Sequence, residues 1–64
     1  MSDTIRALAH VQKEIAKIRT DQQEFLAADR AGSFEEYKKV CGVILGLNRA
    51  DQIINDLVQR LEKE

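Results

Sequence analysis

The chain has 64 residues, with 10 Lys or Arg against 11 Asp or Glu, one Cys and one His, for a formal net charge of -1. Below roughly 70–80 residues one core rarely supplies more than about 3–5 kcal/mol. One Cys excludes an internal disulfide, and one His with one Cys falls short of the four ligands of a structural zinc site. The single domain spanning 1–64 is therefore expected to gain stability by association.

The charge is also even along the chain. Residues 1–32 carry five basic and five acidic side chains, and residues 33–64 carry five and six. Nucleic-acid binding would need a basic stripe, and none is present. The start, "SDTIRALAH", lacks the apolar stretch of a signal peptide. The longest apolar run, "VCGVILGL", has eight residues, against about 20 for a membrane span. No membrane role is expected, and the free thiol suits a reducing, cytosolic setting.

The first helix is expected from about Asp3 to Ala31. Leu8, Val11, Ile15, Ile18 and Phe25 make a heptad seam with Gln22 at one core position. Ile5 and Leu26 widen it slightly, and the stripe stays narrow. His10, Lys13, Glu14, Lys17 and Asp21 form the opposite face.

One break follows, at "AADRAGSF". Gly32 suits the left-handed position that ends a helix. Ser33 with Glu36 reads as a capping box that starts the next one. A stop and a start on adjacent residues predict a tight turn at 32–33 and antiparallel helices.

The second helix is expected from about Phe34 to residue 62. Its seam is Val40, Val43, Leu47, Ala50, Ile54, Leu57 and Leu61, widened by Tyr37, Ile44, Val58 and Ile53. Glu35–Lys39 and Asp56–Arg60 are spaced for i,i+4 pairing. Asn48 and Asp51 offer a competing cap after Gly46. The heptad phase runs through without a slip, which favours a continuous helix.

A narrow-striped helix cannot cover a wide-striped one. The fold expected is all-α, an antiparallel two-helix hairpin dimerising into a four-helix bundle. Gly42, Gly46 and Ala50, spaced by four, form a small-residue stripe. Each glycine costs about 1 kcal/mol relative to Ala in a helix. Two compensations are open: close approach of a second subunit, or space for large side chains of the first helix. Phe34, Cys41 and Leu45 form a further apolar line away from the seam. It reads either as a docking patch or as scattered exposed side chains. The interface residues expected are Phe34, Tyr37, Cys41, Gly42, Leu45, Gly46, Ala50 and Ile53.

Chemistry finds little support. His10 and Glu14 offer only two metal ligands on an exposed face. Lys38 stands near Cys41, but no histidine is placed to act as its base. There is no phosphate-binding glycine loop and no second carboxylate cluster opposite Glu35 and Glu36. No enzyme activity and no cofactor are expected.

The stretch "EEYKKVCGVILGLNRADQIINDLVQRLEKE" resembles short, uncharacterised helical proteins of tailed bacteriophages, often encoded among structural genes. Tyr37, Cys41–Gly42, Gly46–Leu47 and Ile54 to Leu61 carry the likeness, with a weaker echo in "EFLAADRAGSF". The resemblance implies a virion-associated or assembly protein, present in the host cytoplasm during infection or in the virion. Its partners would be copies of itself and other phage structural proteins. The alternative is a phage regulator that binds and inhibits a host protein.

Overall fold

A computed structural model describes residues 2–63. It is all-helical, with two antiparallel helices packed against each other, and no strand occurs among the described residues. Helix α1 spans Asp3–Ala27 and α2 spans Phe34–Lys63. The molecule is a rod of 47 × 14 × 12 Å.

Helix α1 opens on Ser2, whose Oγ accepts from the Ile5 amide at 3.1 Å. Asp3 places a negative charge in the first turn, where the helix dipole favours it. The helix ends four residues before the expected Ala31. The Asp29 amide donates to the Leu26 carbonyl at 3.0 Å, and the Arg30 amide to the Phe25 carbonyl at 3.2 Å. That pair of bonds is a Schellman closure, and it needs a left-handed residue between them. Asp29 takes that position, with φ 55°. Asp and Asn tolerate the left-handed region better than most side chains. Gly32 has no positive φ, so it does not end α1. The connection is the six-residue segment 28–33 rather than a two-residue turn.

The start of α2 follows the expected capping logic with one shift. Ser33 Oγ accepts from the Glu36 amide at 3.1 Å, and the Tyr37 amide donates to the Ser33 carbonyl at 3.0 Å. The Glu36 carboxylate reaches one residue further back than in the usual box and accepts from the Gly32 amide at 3.2 Å. Ser33→Ala removes the first of these three bonds and leaves the other two. Thermal unfolding should show a loss of about 0.5–1 kcal/mol, the lower part of the range for an N-cap.

Helix α2 is continuous through Gly46 and Asn48. Asn48 and Asp51 do not cap a new helix. They reach across to α1. Arg19 Nη1 donates to Asn48 Oδ1 at 3.1 Å and lies 3.6 Å from Asp51 Oδ2, while Gln12 Nε2 donates to Asp51 Oδ1 at 3.2 Å. Of the two i,i+4 pairs expected on α2, neither is among the salt bridges formed. Asp56 instead accepts from Gln52 at 3.0 Å.

This polar cluster shows how the hairpin is rotated. On α1 the half-buried line is Ile5, Leu8, Gln12, Ile15, Arg19, Gln22 and Leu26. On α2 it is Val40, Ile44, Leu47, Asp51, Ile54, Val58 and Leu61, with Val40 the most enclosed of them at 8% exposure. Both lines keep the spacing of three and four that a packed helix pair needs. They share Leu8, Ile15, Gln22, Val40, Leu47, Ile54 and Leu61 with the seams expected from sequence. The other half of each expected seam is displaced: Val11, Ile18, Val43 and Leu57 remain 40–47% exposed. The polar side chains Gln12, Arg19 and Asp51 take the contact line because they satisfy one another across it.

Candidate functional site

The displaced residues define a surface. Val11, Ile18 and Phe25 form one ridge of α1, and Val43, Ala50 and Leu57 form one ridge of α2. Each ridge is turned about 60° from the half of the contact line it adjoins, Leu8, Ile15 and Gln22 on α1 and Val40, Leu47 and Ile54 on α2, in the same rotational sense. In an antiparallel pair, ridges turned that way fall on the same side of the hairpin. One apolar face therefore runs along the middle of the rod, over about 21 Å of its 47 Å length.

Ile53 borders this face on the outer edge of α2 and is 67% exposed. Of the eight large exposed hydrophobic side chains among the described residues, five lie here: Val11, Ile18, Val43, Ile53 and Leu57. Phe25 and Ala50 are half-buried. Scattered exposed apolar residues are ordinary on a protein surface. A contiguous apolar face that includes half of two heptad seams is not.

At the turn end the face meets a shallow hollow lined by Gln22, Ser33, Glu35, Glu36, Lys39, Val40 and Val43. Gln22 from α1 and Val43 from α2 thus share one side of the molecule. A second hollow, lined by Asp21, Glu24, Phe25, Ala28 and Arg30, lies on the outer side of α1.

The eight interface residues expected from sequence divide between two regions. Gly46, Ala50 and Ile53 belong to the apolar face or its edge. Phe34, Tyr37, Cys41 and Leu45 lie elsewhere on α2, and Gly42 points away from α1. Phe34 and Leu45 are 71% and 65% exposed. Phe34 stacks on Tyr37, with ring centroids 6.4 Å apart and planes at 20°, and the Lys38 ammonium sits 5.4 Å from the Phe34 centroid. Lys38 is thus engaged with an aromatic face.

Cys41 is half-buried and free. It raises the Tyr37 phenol above its ordinary value, first through a side-chain hydrogen bond and then through charge repulsion between the two ionised groups.

The glycines are resolved by geometry. A Cβ added at Gly42 or Gly46 would meet nothing within 4 Å. No α1 side chain fills the space beside either one. The suggestion that they accommodate large residues of the first helix is therefore wrong.

Comparison with protein families, curated proteins and solved structures finds no match to this chain.

The remaining polar groups are simple in their arrangement. His10 Nε2 and Lys17 Nζ each approach the Glu14 carboxylate at 3.8 Å on an exposed face. Such exposed pairs contribute little. Among the described residues, no three His, Cys, Asp or Glu side chains gather as a metal-binding set. No helix among them is long and apolar enough to cross a membrane.

Sequence reasoning missed Val11, Ile18, Val43 and Leu57 as surface residues because it assigned them to the hairpin seam. It also missed Gln12, Arg19, Asn48 and Asp51 as cross-helix partners. The available signal was their spacing: Gln12 and Arg19 are seven apart, as are Ile44, Asp51 and Val58.

Proposed function

We infer that this chain is a small, non-catalytic protein–protein interaction module that works as a homo-oligomer. The contiguous apolar face formed by Val11, Ile18, Val43, Leu57 and Ile53 carries this reading. A chain this small, with one buried side chain among the described residues, has little core of its own, and covering that face would supply more.

The biological setting rests on the sequence resemblance in the second half of the chain. It favours a virion-associated or assembly protein of a tailed bacteriophage, contacting other phage structural proteins. The line of Phe34, Cys41 and Leu45 lies off the apolar face and stays available for such a contact. Mass spectrometry of purified particles of the encoding phage tests this. Peptides of the chain at a fixed ratio to the capsid or tail proteins support the assembly role. Their absence from particles, with the chain recovered on a host enzyme in infected cells, would replace it with the host-directed regulator.

A further inference from the structure

We propose that the apolar face is covered by a second copy of this chain, related by a two-fold axis parallel to the helices, so that α1 of each copy packs on α2 of the other. This rests on the interaction reading above and specifies its partner and geometry.

The area matches what a stable pair requires. A folded monomer of 7.3 kDa exposes about 4,200 Å² by the usual mass scaling. This chain exposes 5143 Å². The surplus, on the order of 1,000 Å², is close to the ~800 Å² that each partner contributes to a standard interface. Five of the eight large exposed apolar side chains among the described residues, Val11, Ile18, Val43, Ile53 and Leu57, lie on one side of the rod.

The heptad pattern names the second helix layer. In a four-helix bundle each helix meets two neighbours, using adjacent ridges of one continuous stripe. Here Leu8, Ile15 and Gln22, with Val40, Leu47 and Ile54, form the line that both neighbours would share. Gln12, Arg19, Ile44 and Asp51 serve the neighbour within the chain. The ridges through Val11 and Ile18, and through Val43 and Leu57, are left for the neighbour outside it. A second hairpin presents the same ridges, which makes the face self-complementary.

Charge selects the axis. Two arrangements bring the faces together. An axis across the helices would lay α1 on the partner's α1 and bring the acidic edge, Glu14 and Asp21, against itself. An axis along the helices lays α1 on the partner's α2 and brings Asp21 near the partner's Lys39. Opposite charges meet in this second arrangement.

The register follows from the contacts already made within the chain. Gln12 stands level with Asp51, and Arg19 with Asn48. A parallel axis leaves every residue at its own level. Val11 then meets the partner's Ile53, Ile18 meets the partner's Gly46, and Phe25 meets the partner's Lys39. The Ile18 side chain fills the open space beside Gly46, and the most exposed edge residue, Ile53, gains an apolar neighbour.

Two measurements on the full chain test this, and they fail separately. The first is light scattering after size exclusion over a range of concentrations. A dimer is expected, and Gly46→Leu should shift it to monomer while circular dichroism keeps its helical signal. A monomer for the parent chain at every concentration overturns both the interaction reading and the pairing. A Gly46→Leu chain that remains dimeric overturns the Ile18–Gly46 contact.

The second is disulfide trapping in a Cys41→Ser background, mixing a Val11→Cys chain with an Ile53→Cys chain. The mixture should give a cross-linked dimer of the two different chains, with each chain alone giving at least tenfold less. Efficient cross-linking of either chain with itself, or a dimer with no mixed cross-link, leaves association standing and overturns the parallel axis.

Discussion

Val40→Ala is expected to remove about 2 kcal/mol from the unfolding free energy, by chemical or thermal denaturation. Val40 is the only buried side chain among the described residues, at 8% exposure. Truncation deletes two methyl groups, at about 0.8 kcal/mol each for transfer, plus part of the void they leave. A domain of this size starts from about 3–5 kcal/mol, so one substitution takes a large share. For a chain of 60–100 residues the same loss lowers Tm by about 8–16 °C. Val43→Ala, three residues on but exposed, makes the contrast. It should change monomer stability by less than about 0.5 kcal/mol, while weakening association. If the two substitutions cost the same in the monomer, the hairpin is not rotated as described. The contact line would then run through Val43 rather than Ile44.

That rotation is where the sequence was least legible. The heptad spacing located both helices and half of each contact line correctly, because apolar side chains at three-four spacing must share a face. It did not say which flanking ridge the intramolecular neighbour would take. On hydrophobicity alone Val11 and Ile18 outrank Gln12 and Arg19, so the apolar ridge was assigned to the hairpin. The structure places the polar one there, where Gln12, Arg19, Asn48 and Asp51 form two hydrogen bonds and an ion pair across the pair. A buried or half-buried polar group loses little when its partner is present and much when it is not. Such pairing depends on which helix level faces which, and the length and path of the turn set that level. The turn itself was misplaced for a related reason. Gly32 is the usual residue for a left-handed position, but Asp29 occupies it, and the sequence offered no way to rank the two. The Ser33 cap was legible because its chemistry is local: a hydroxyl and an amide three residues apart.

The glycines separate the hairpin from the assembly. Gly42→Ala should stabilise the chain by about 1 kcal/mol, since Ala lowers the entropy cost of the helix and an added Cβ meets nothing within 4 Å. In the monomer Gly46→Ala should do the same, for the same two reasons, and the double variant should gain about 2 kcal/mol. The positions differ once a second copy is present. Gly42 faces away from the apolar face, so its gain persists at every protein concentration. Gly46 stands opposite the partner's Ile18 in the proposed pair, and a methyl group there takes up space that the isoleucine fills. The gain from Gly46→Ala should therefore shrink or reverse as concentration rises, and the dissociation constant should weaken by about tenfold for each 1.4 kcal/mol of misfit. Denaturation curves recorded at two concentrations, for the two single variants side by side, measure this difference directly. Equal gains at both concentrations would mean that Gly46 lies outside any subunit contact.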